Sequence, residues 1–230
     1  MQQFISVFAT ILVLFANVQL RADVIASSFS NSTFAQFKTL TDSDSSISSV
    51  GTITSFVTID NSFTRSLLQW SWGGRFLTGE STLTAEKTIA ARPGGAHLAT
   101  SSFIFQFTTD SAMVLDMAGT WGFNPVTTPG GDSITMTLVG SSGTLYSDST
   151  SLNTGLTSDN FGYLATIAPD SYTLTISGTL TETINNAASA QGAWAFQRFS
   201  IAVPEPSVGI GLLLYLMAIV GRFRLRVATP

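Results

Sequence analysis

A single histidine, His97, and the complete absence of cysteine limit the chemistry available to this 230-residue chain. Without cysteine there is no thiolate nucleophile, no disulfide and no sulfur ligand for a metal. With one histidine, a zinc site would have to draw nearly all its ligands from carboxylates, which structural and catalytic zinc sites do not do. No metal or cofactor is therefore expected. A Ser-His-Asp triad would depend on His97, yet the sequence contains no G-x-S-x-G elbow, and Gly94-Gly95-Ala96-His97 reads as a surface loop. Glu80, Glu86, Asp116 and Glu182 are the candidates for a glycosidase-type carboxylate pair. Nothing in their spacing distinguishes such a pair from solubilising charges at outward positions, so no catalytic residue is assigned. Asp42-Ser43-Asp44-Ser45-Ser46 alternates oxygen donors but lacks the glycine and distal glutamate of a calcium loop. A flexible polar loop is the reading there. Trp70 and Trp72 carry the aromatic faces on which sugars stack, but they alternate with Leu68 as a buried strand face does. Trp121 and Trp194 are read as core in the same way.

Stepping from residues to elements, period-two alternation in short stretches dominates residues 23–202. One strand face is expected at Ile53, Val57 and Ile59, and another at Leu68, Trp70 and Trp72. Further faces are Phe103, Phe105 and Phe107; Met113, Leu115 and Met117; and Ile134, Met136 and Leu138. The series continues with Phe161, Tyr163, Ala165 and Ile167; with Tyr172, Leu174 and Ile176; and with a separate Leu180 and Ile184. Trp194, Phe196, Phe199 and Ile201 close the sheet. Turn signals separate these runs at Gly73-Gly74, Pro93-Gly94-Gly95, Pro129-Gly130-Gly131, Ser142-Gly143 and Ala168-Pro169-Asp170. Only Asn185 to Gln191 invites a helical turn, and no internal repeat is evident. Many short strands at this spacing predict an all-β domain of the β-sandwich or jelly-roll kind.

The charge pattern narrows the function classes. Charged residues make up 10% of the chain, against roughly 25% for an average soluble domain. Between residues 23 and 206 there are 14 acids and 6 bases, a net −8. Such a body offers no basic face to phosphates, so a nucleic-acid partner is excluded.

The apolar excess sits at the two ends. Phe4 to Leu20 is a continuous apolar run followed by Arg21-Ala22, which predicts a signal helix over residues 1–22, cut after Ala22 or alternatively Ala26. Its first residues, Met1-Gln2-Gln3, carry no Lys or Arg, a departure from the usual signal pattern. An uncleaved anchor is the alternative. At the other end, Val203-Pro204-Glu205-Pro206-Ser207 leads into the apolar run Val208 to Gly221, then Arg222, Arg224 and Arg226 within the tail 222–230. The run is 14 residues, about 21 Å as a helix. It spans a bilayer only if Phe223, Leu225 and Val227 join it while the arginines snorkel. Three arginines beyond a transmembrane helix hold that end in the cytoplasm, so the body 23–202 lies outside, as the N-terminal signal independently implies. The two prolines of Pro204-Glu205-Pro206 remove backbone donors and favour an extended chain, a form that a processing enzyme can hold in its cleft.

The ordered set of Val203, Pro204, Glu205, Pro206 and Ser207, a short glycine-containing apolar helix over 208–221 and a terminal arginine cluster resembles the PEP-CTERM sorting signal of Gram-negative bacteria. The resemblance covers residues 203–226. It implies recognition by exosortase, a membrane-embedded cysteine protease-transpeptidase, with Pro204, Glu205 and Pro206 as the recognised residues and cleavage near them. The Val-Ala-Thr-Pro extension after the arginines is slightly longer than that pattern. A simple C-terminal membrane anchor is the alternative. The resemblance further implies an exported protein, anchored transiently in the inner membrane, that ends at the cell surface or in an extracellular matrix and associates with exopolysaccharide, as in a biofilm. In such a chain the sequon Asn31-Ser32-Thr33 is without consequence. The reading is thus a non-enzymatic surface or matrix protein. A secreted carbohydrate-binding module and a secreted hydrolase are its alternatives.

Overall fold

The computed structural model describes residues 24–59, 62–87, 95–124, 132–151, 157–184 and 191–202. Twelve strands and no helix are found among them: β1 (Val24–Phe37), β2 (Leu40–Ser46), β3 (Val50–Ile59), β4 (Ser62–Trp72), β5 (Phe76–Lys87), β6 (Gly95–Thr109), β7 (Met113–Asn124), β8 (Ser133–Gly140), β9 (Gly143–Ser151), β10 (Thr157–Ile167), β11 (Asp170–Ile184) and β12 (Gln191–Ala202). All fall within one compact unit, Val24–Val203. Among the described residues no helix is long and apolar enough to cross a membrane. The expected signal helix and transmembrane helix lie outside the described residues, as does all of the 185–191 turn except Gln191, which opens β12.

The strands form two antiparallel six-stranded sheets, in the orders β2-β1-β6-β11-β8-β9 and β10-β7-β12-β5-β4-β3. The result is a β-sandwich. Its logic follows from alternation, since a strand with every second residue apolar can bury one face only against a second sheet. In β6 the inward positions Phe103, Phe105 and Phe107 are all buried, and so are Leu174 and Ile176 of β11, Met136 and Leu138 of β8, and Leu68 and Trp70 of β4 across the interior. Phe29 stacks on Phe105 at 4.8 Å, Phe105 on Phe107 at 5.1 Å, and Phe107 on Tyr172 at 5.3 Å. Each such side chain contributes about 1.5–3 kcal/mol by leaving water. Contacts from β4 to β6 run in step along both strands, from Thr64–His97 through Ser66–Thr100 to Trp72–Phe105, so the two sheets are packed with strands nearly aligned.

The pairing β8·β9, β7·β10, β6·β11 and β5·β12 is nested, each pair enclosing the one before it in sequence. β3 and β4 extend one sheet beyond β5, and β1 and β2 extend the other beyond β6. With every strand antiparallel to its neighbours and an even number of them, the body begins at Val24 and ends at Ala202 on the same end of the sandwich. Val24 pairs with Thr109 and Ala202 with Asp116, on either side of the β6–β7 turn.

Several sequence expectations are corrected. The Asp42 to Ser46 stretch is not a loop but part of the edge strand β2. The expected break between Ile176 and Leu180 is absent. β11 runs unbroken for 15 residues, and Gly178 occupies an inward position where a Cβ would lie 3.2 Å from the Leu83 side chain. That glycine marks a close approach of the two sheets rather than a turn. The strands β1, β5 and β9, rich in Ser, Thr, Gly and Ala, gave too little hydrophobic contrast to be marked in the sequence.

Candidate functional site

Titratable groups in unexpected places are the first candidates. His97 is not on a surface loop. It is the third residue of β6, faces inward and is 1% exposed. Its ring stacks on Phe37 at 4.2 Å and nearly parallel, 13° between planes. Thr64 Oγ1 donates to the Gln36 carbonyl at 3.0 Å and lies 2.8 Å from His97 Nδ1. Which of the two atoms donates in the Thr64–His97 contact is set by the ring tautomer. Nε2 has no hydrogen-bond partner among the described residues. Burial lowers the imidazole pKa to about 4, partly offset by the Phe63 backbone and assisted by the nearby Lys38 charge. The ring is therefore neutral at pH 7.

Glu182, expected at an outward position, is also buried and inward, paired across the ladder with His97. Asp132, which directly precedes β8, is 1% exposed and accepts the Thr181 backbone N–H at 2.6 Å. Desolvation raises its pKa to about 6, opposed by the Thr181 hydrogen bond and reinforced by the Glu182 charge. These groups line one end of the interior, the end opposite Val24 and Ala202. Among the described residues no three acidic or histidine side chains are grouped so as to hold a metal. His97, Glu182 and Asp132 are all buried between the sheets. The other candidate carboxylates do not join them: Asp116 is exposed on β7, and Glu80 and Glu86 are half-buried on the outer face of β5.

The tryptophans divide as a core does. Trp70 is buried and its Nε1 donates to the Ser48 carbonyl at 2.8 Å. It lies between Gly51 and Gly79 on the neighbouring strands, and a Cβ on Gly51 would come within 2.9 Å of the indole. Trp72 is half-buried against Phe105 at 5.0 Å, and Trp121 is buried against Phe161 at 5.0 Å. None of these three presents a stacking platform to solvent, and the Trp194 side chain lies outside the described residues. An open hollow of about 570 Å³ on the outside of β3, β4 and β5 is lined by Gly51, Trp70, Gly79, Gln69, Thr78 and Glu80, without an exposed aromatic ring. Asn31 of the sequon points inward and is 2% exposed.

The feature that sequence reasoning missed is a surface. Ladder partners place Ser45, Ser32, Ser102, Ser177, Thr135 and Ser149 in one row across all six strands of the β2-β1-β6-β11-β8-β9 sheet. Thr175, Thr137 and Ser147 lie in a neighbouring row, and Thr100, Thr179 and Ser133 in the next. Thr135 and Ser177 are joined by a 2.6 Å hydrogen bond. The outward positions of β1, β6, β11 and β8 carry no charged side chain, although the body is strongly acidic. Strand geometry sets the hydroxyls about 4.8 Å apart across the sheet and about 6.6 Å apart along it. The outward Thr173, Thr175, Ser177, Thr179, Thr181 and Thr183 of β11 were visible in the sequence as a T-x-T pattern. What could not be seen was that five other strands continue the row.

Of the sequence-predicted site residues, Val203, Pro204, Glu205, Pro206, Ser207, Arg222, Arg224, Arg226 and Ala22 all lie outside the described residues.

No protein-family model matches the chain, and no curated protein matches it. Among solved structures, it is similar to the enzymatically active domain of tailspike protein 4 of bacteriophage CBA120, with 14% identity, a TM-score of 0.27, and coverage of 77% of this chain and 20% of that one. It is also similar to the infectious bursal disease virus VP2 subviral particle, at 12% identity and a TM-score of 0.28, covering 80% of this chain and 59% of that one. A third is the structure of the Gx strain of the same virus, at 11% identity and a TM-score of 0.26, covering 79% and 58%. The chain thus spans less than two thirds of each of these proteins. Likeness of this degree carries no argument about function.

Proposed function

We propose that this chain is an exported, non-enzymatic surface or matrix protein. Its signal peptide is cut after Ala22, and its C-terminal region 203–230 is a PEP-CTERM sorting signal processed by exosortase. The body is a jelly roll, read from its nested strand pairs, and it associates with exopolysaccharide through its uncharged hydroxyl face.

The observation that supports the sorting reading is that a paired interior strand reaches the residue before the motif. β12 is an interior strand, held between β7 and β5, and its last paired residue is Ala202. Val203, the first residue of the motif, follows at once. The paired strand thus reaches the residue next to the motif, and the two prolines of the motif lack the backbone donors that a ladder needs. A segment whose prolines favour an extended chain, placed directly after a paired strand, suits the cleft of a processing enzyme. The polysaccharide reading is supported by the hydroxyl rows: neutral donors and acceptors at regular spacing suit a polyhydroxylated polymer, and the missing charges remove repulsion from an acidic one.

Expression of the whole chain in hosts with and without exosortase, followed by mass spectrometry of the C-terminus, tests the proposal. Loss of the residues beyond the motif only when exosortase is present is the expected result, and Pro204→Ala with Pro206→Ala should abolish it. Identical intact C-termini in both hosts would overturn the sorting reading.

A further inference from the structure

Among the described residues, large exposed apolar side chains stand at the end of the body from which its first and last strands lead away. Ile25 stands at the start of β1, Ile47 and Val50 at the β2–β3 turn, Phe76 at the start of β5, and Val139 and Leu145 on either side of the β8–β9 turn. All six lie at the end of the sandwich from which Val24 and Ala202 lead away. Ile47 is 84% exposed on a bend, and Phe76, half exposed, pairs directly with Ala202, the last residue of β12. Val114 and Leu164 are also exposed near this end, on the outer faces of β7 and β10, and Leu40 and Phe56 are exposed elsewhere. Side chains as exposed as Ile47 and Phe76 contribute little to the core, so this set asks for a partner.

The sequence supplies the partner's distance. Five residues, 203–207, separate Ala202 from the apolar run that begins at Val208, and five residues reach at most about 18 Å when fully extended. Resting on the sorting reading, in which that run sits in the bilayer, the exit end of the body is tethered within reach of the lipid surface. We infer that this apolar rim docks the uncleaved precursor on the bilayer, with Ile47 and Phe76 entering the headgroup region in the manner of interfacial anchors. The charged side chains at this end include Asp110, Asp116, Asp170 and Arg75, a net negative set that an anionic surface would repel. The matching surface is therefore a zwitterionic one. Docking would fix the motif at the membrane boundary and limit how far the body swings about its tether.

The absence of native cysteine makes the test direct. In the full-length precursor, Ile47→Cys, Phe76→Cys and, at the far end, Leu40→Cys are each labelled with one environment-sensitive fluorophore. The labelled chains are reconstituted into phosphatidylcholine vesicles carrying nitroxide quenchers on the acyl chains. Labels at positions 47 and 76 are expected to shift to the blue and lose emission to the quencher, while the label at position 40 does neither. If the precursor floats with the vesicles but all three labels behave alike, the docking inference is overturned and the anchoring reading survives. A precursor that does not float with vesicles overturns both.

Discussion

Single residues in this sandwich carry opposing pH dependences. Asp132 has its pKa raised from 3.8 to about 6, so the folded state holds its proton more tightly than the unfolded chain. Its favourable contribution is complete below about pH 4 and is lost as pH rises through about 6. His97 has its pKa lowered from 6.5 to about 4, so its contribution is present above pH 6.5 and is lost as pH falls through about 4. With water screening part of each effect, each changes stability by about 1–3 kcal/mol at its unfavourable extreme. Asp132→Asn keeps an acceptor for the Thr181 N–H without the charge. It should raise the unfolding free energy by about 1–3 kcal/mol at pH 8, with the gain fading toward pH 4 in urea melts taken across that range. His97→Phe should remove the loss of stability between pH 6.5 and 4, whatever its effect at neutral pH, in the same series. Gly51→Ala should cost about 1–3 kcal/mol, because the indole of Trp70 is pinned by its bond to Ser48 and cannot retreat.

At the scale of elements, the exposed edges decide behaviour. β2 and β3 are the neighbouring edges of opposite sheets. Asp42 Oδ2 accepts the Phe56 N–H at 2.9 Å, and Asp44 Oδ2 accepts the Thr54 N–H at 3.4 Å. Two carboxylates of one edge thus occupy backbone donors of the other, which would otherwise be open to pairing with a second chain. This is the work of the Asp-Ser-Asp stretch that resembled a calcium loop. Asp42→Ala with Asp44→Ala should lower stability by about 1 kcal/mol and promote self-association, read by sedimentation velocity at rising concentration. A calcium-dependent change in melting temperature that this double variant abolishes would show instead that the pair binds an ion. β12 lies at the other extreme: it is an interior strand, and its loss would leave β5 and β7 with unpaired edges in mid-sheet. Deleting residues 191–202 should abolish cooperative unfolding, as followed by circular dichroism.

Over the whole molecule, the nested pairing joins strands far apart in sequence, so native contacts close late and folding is expected on the millisecond-to-second scale of β-sandwiches. The body cannot complete its fold until β12, its last strand, is available. That order suits a chain exported before it folds. The hydroxyl face belongs to this scale too, because no single strand makes it. Ser102→Glu with Ser177→Glu puts two charges in the middle of the row. It should reduce retention on an immobilised neutral or acidic polysaccharide by tenfold or more, about 1.4 kcal/mol, while leaving the melting temperature nearly unchanged. Equal retention of variant and parent would remove this face as the binding surface.

The all-β class and most of the inward positions were legible in the sequence because alternation is a local property: Phe103, Phe105 and Phe107 announce a buried face whatever lies beside them. The proposed sorting signal is read in the same way, since its parts are adjacent along the chain. Which polar residues share the interior was decided by ladder register and sheet pairing. His97, which follows Gly94-Gly95-Ala96, reads as a loop residue, and only its place opposite Phe37 and Glu182 on neighbouring strands puts it inside. The hydroxyl rows, the carboxylates that guard an edge, and the common exit of both chain ends depend on which strands become neighbours. That is settled by long-range pairing, through contacts between residues dozens of positions apart that leave no periodic trace in either segment alone.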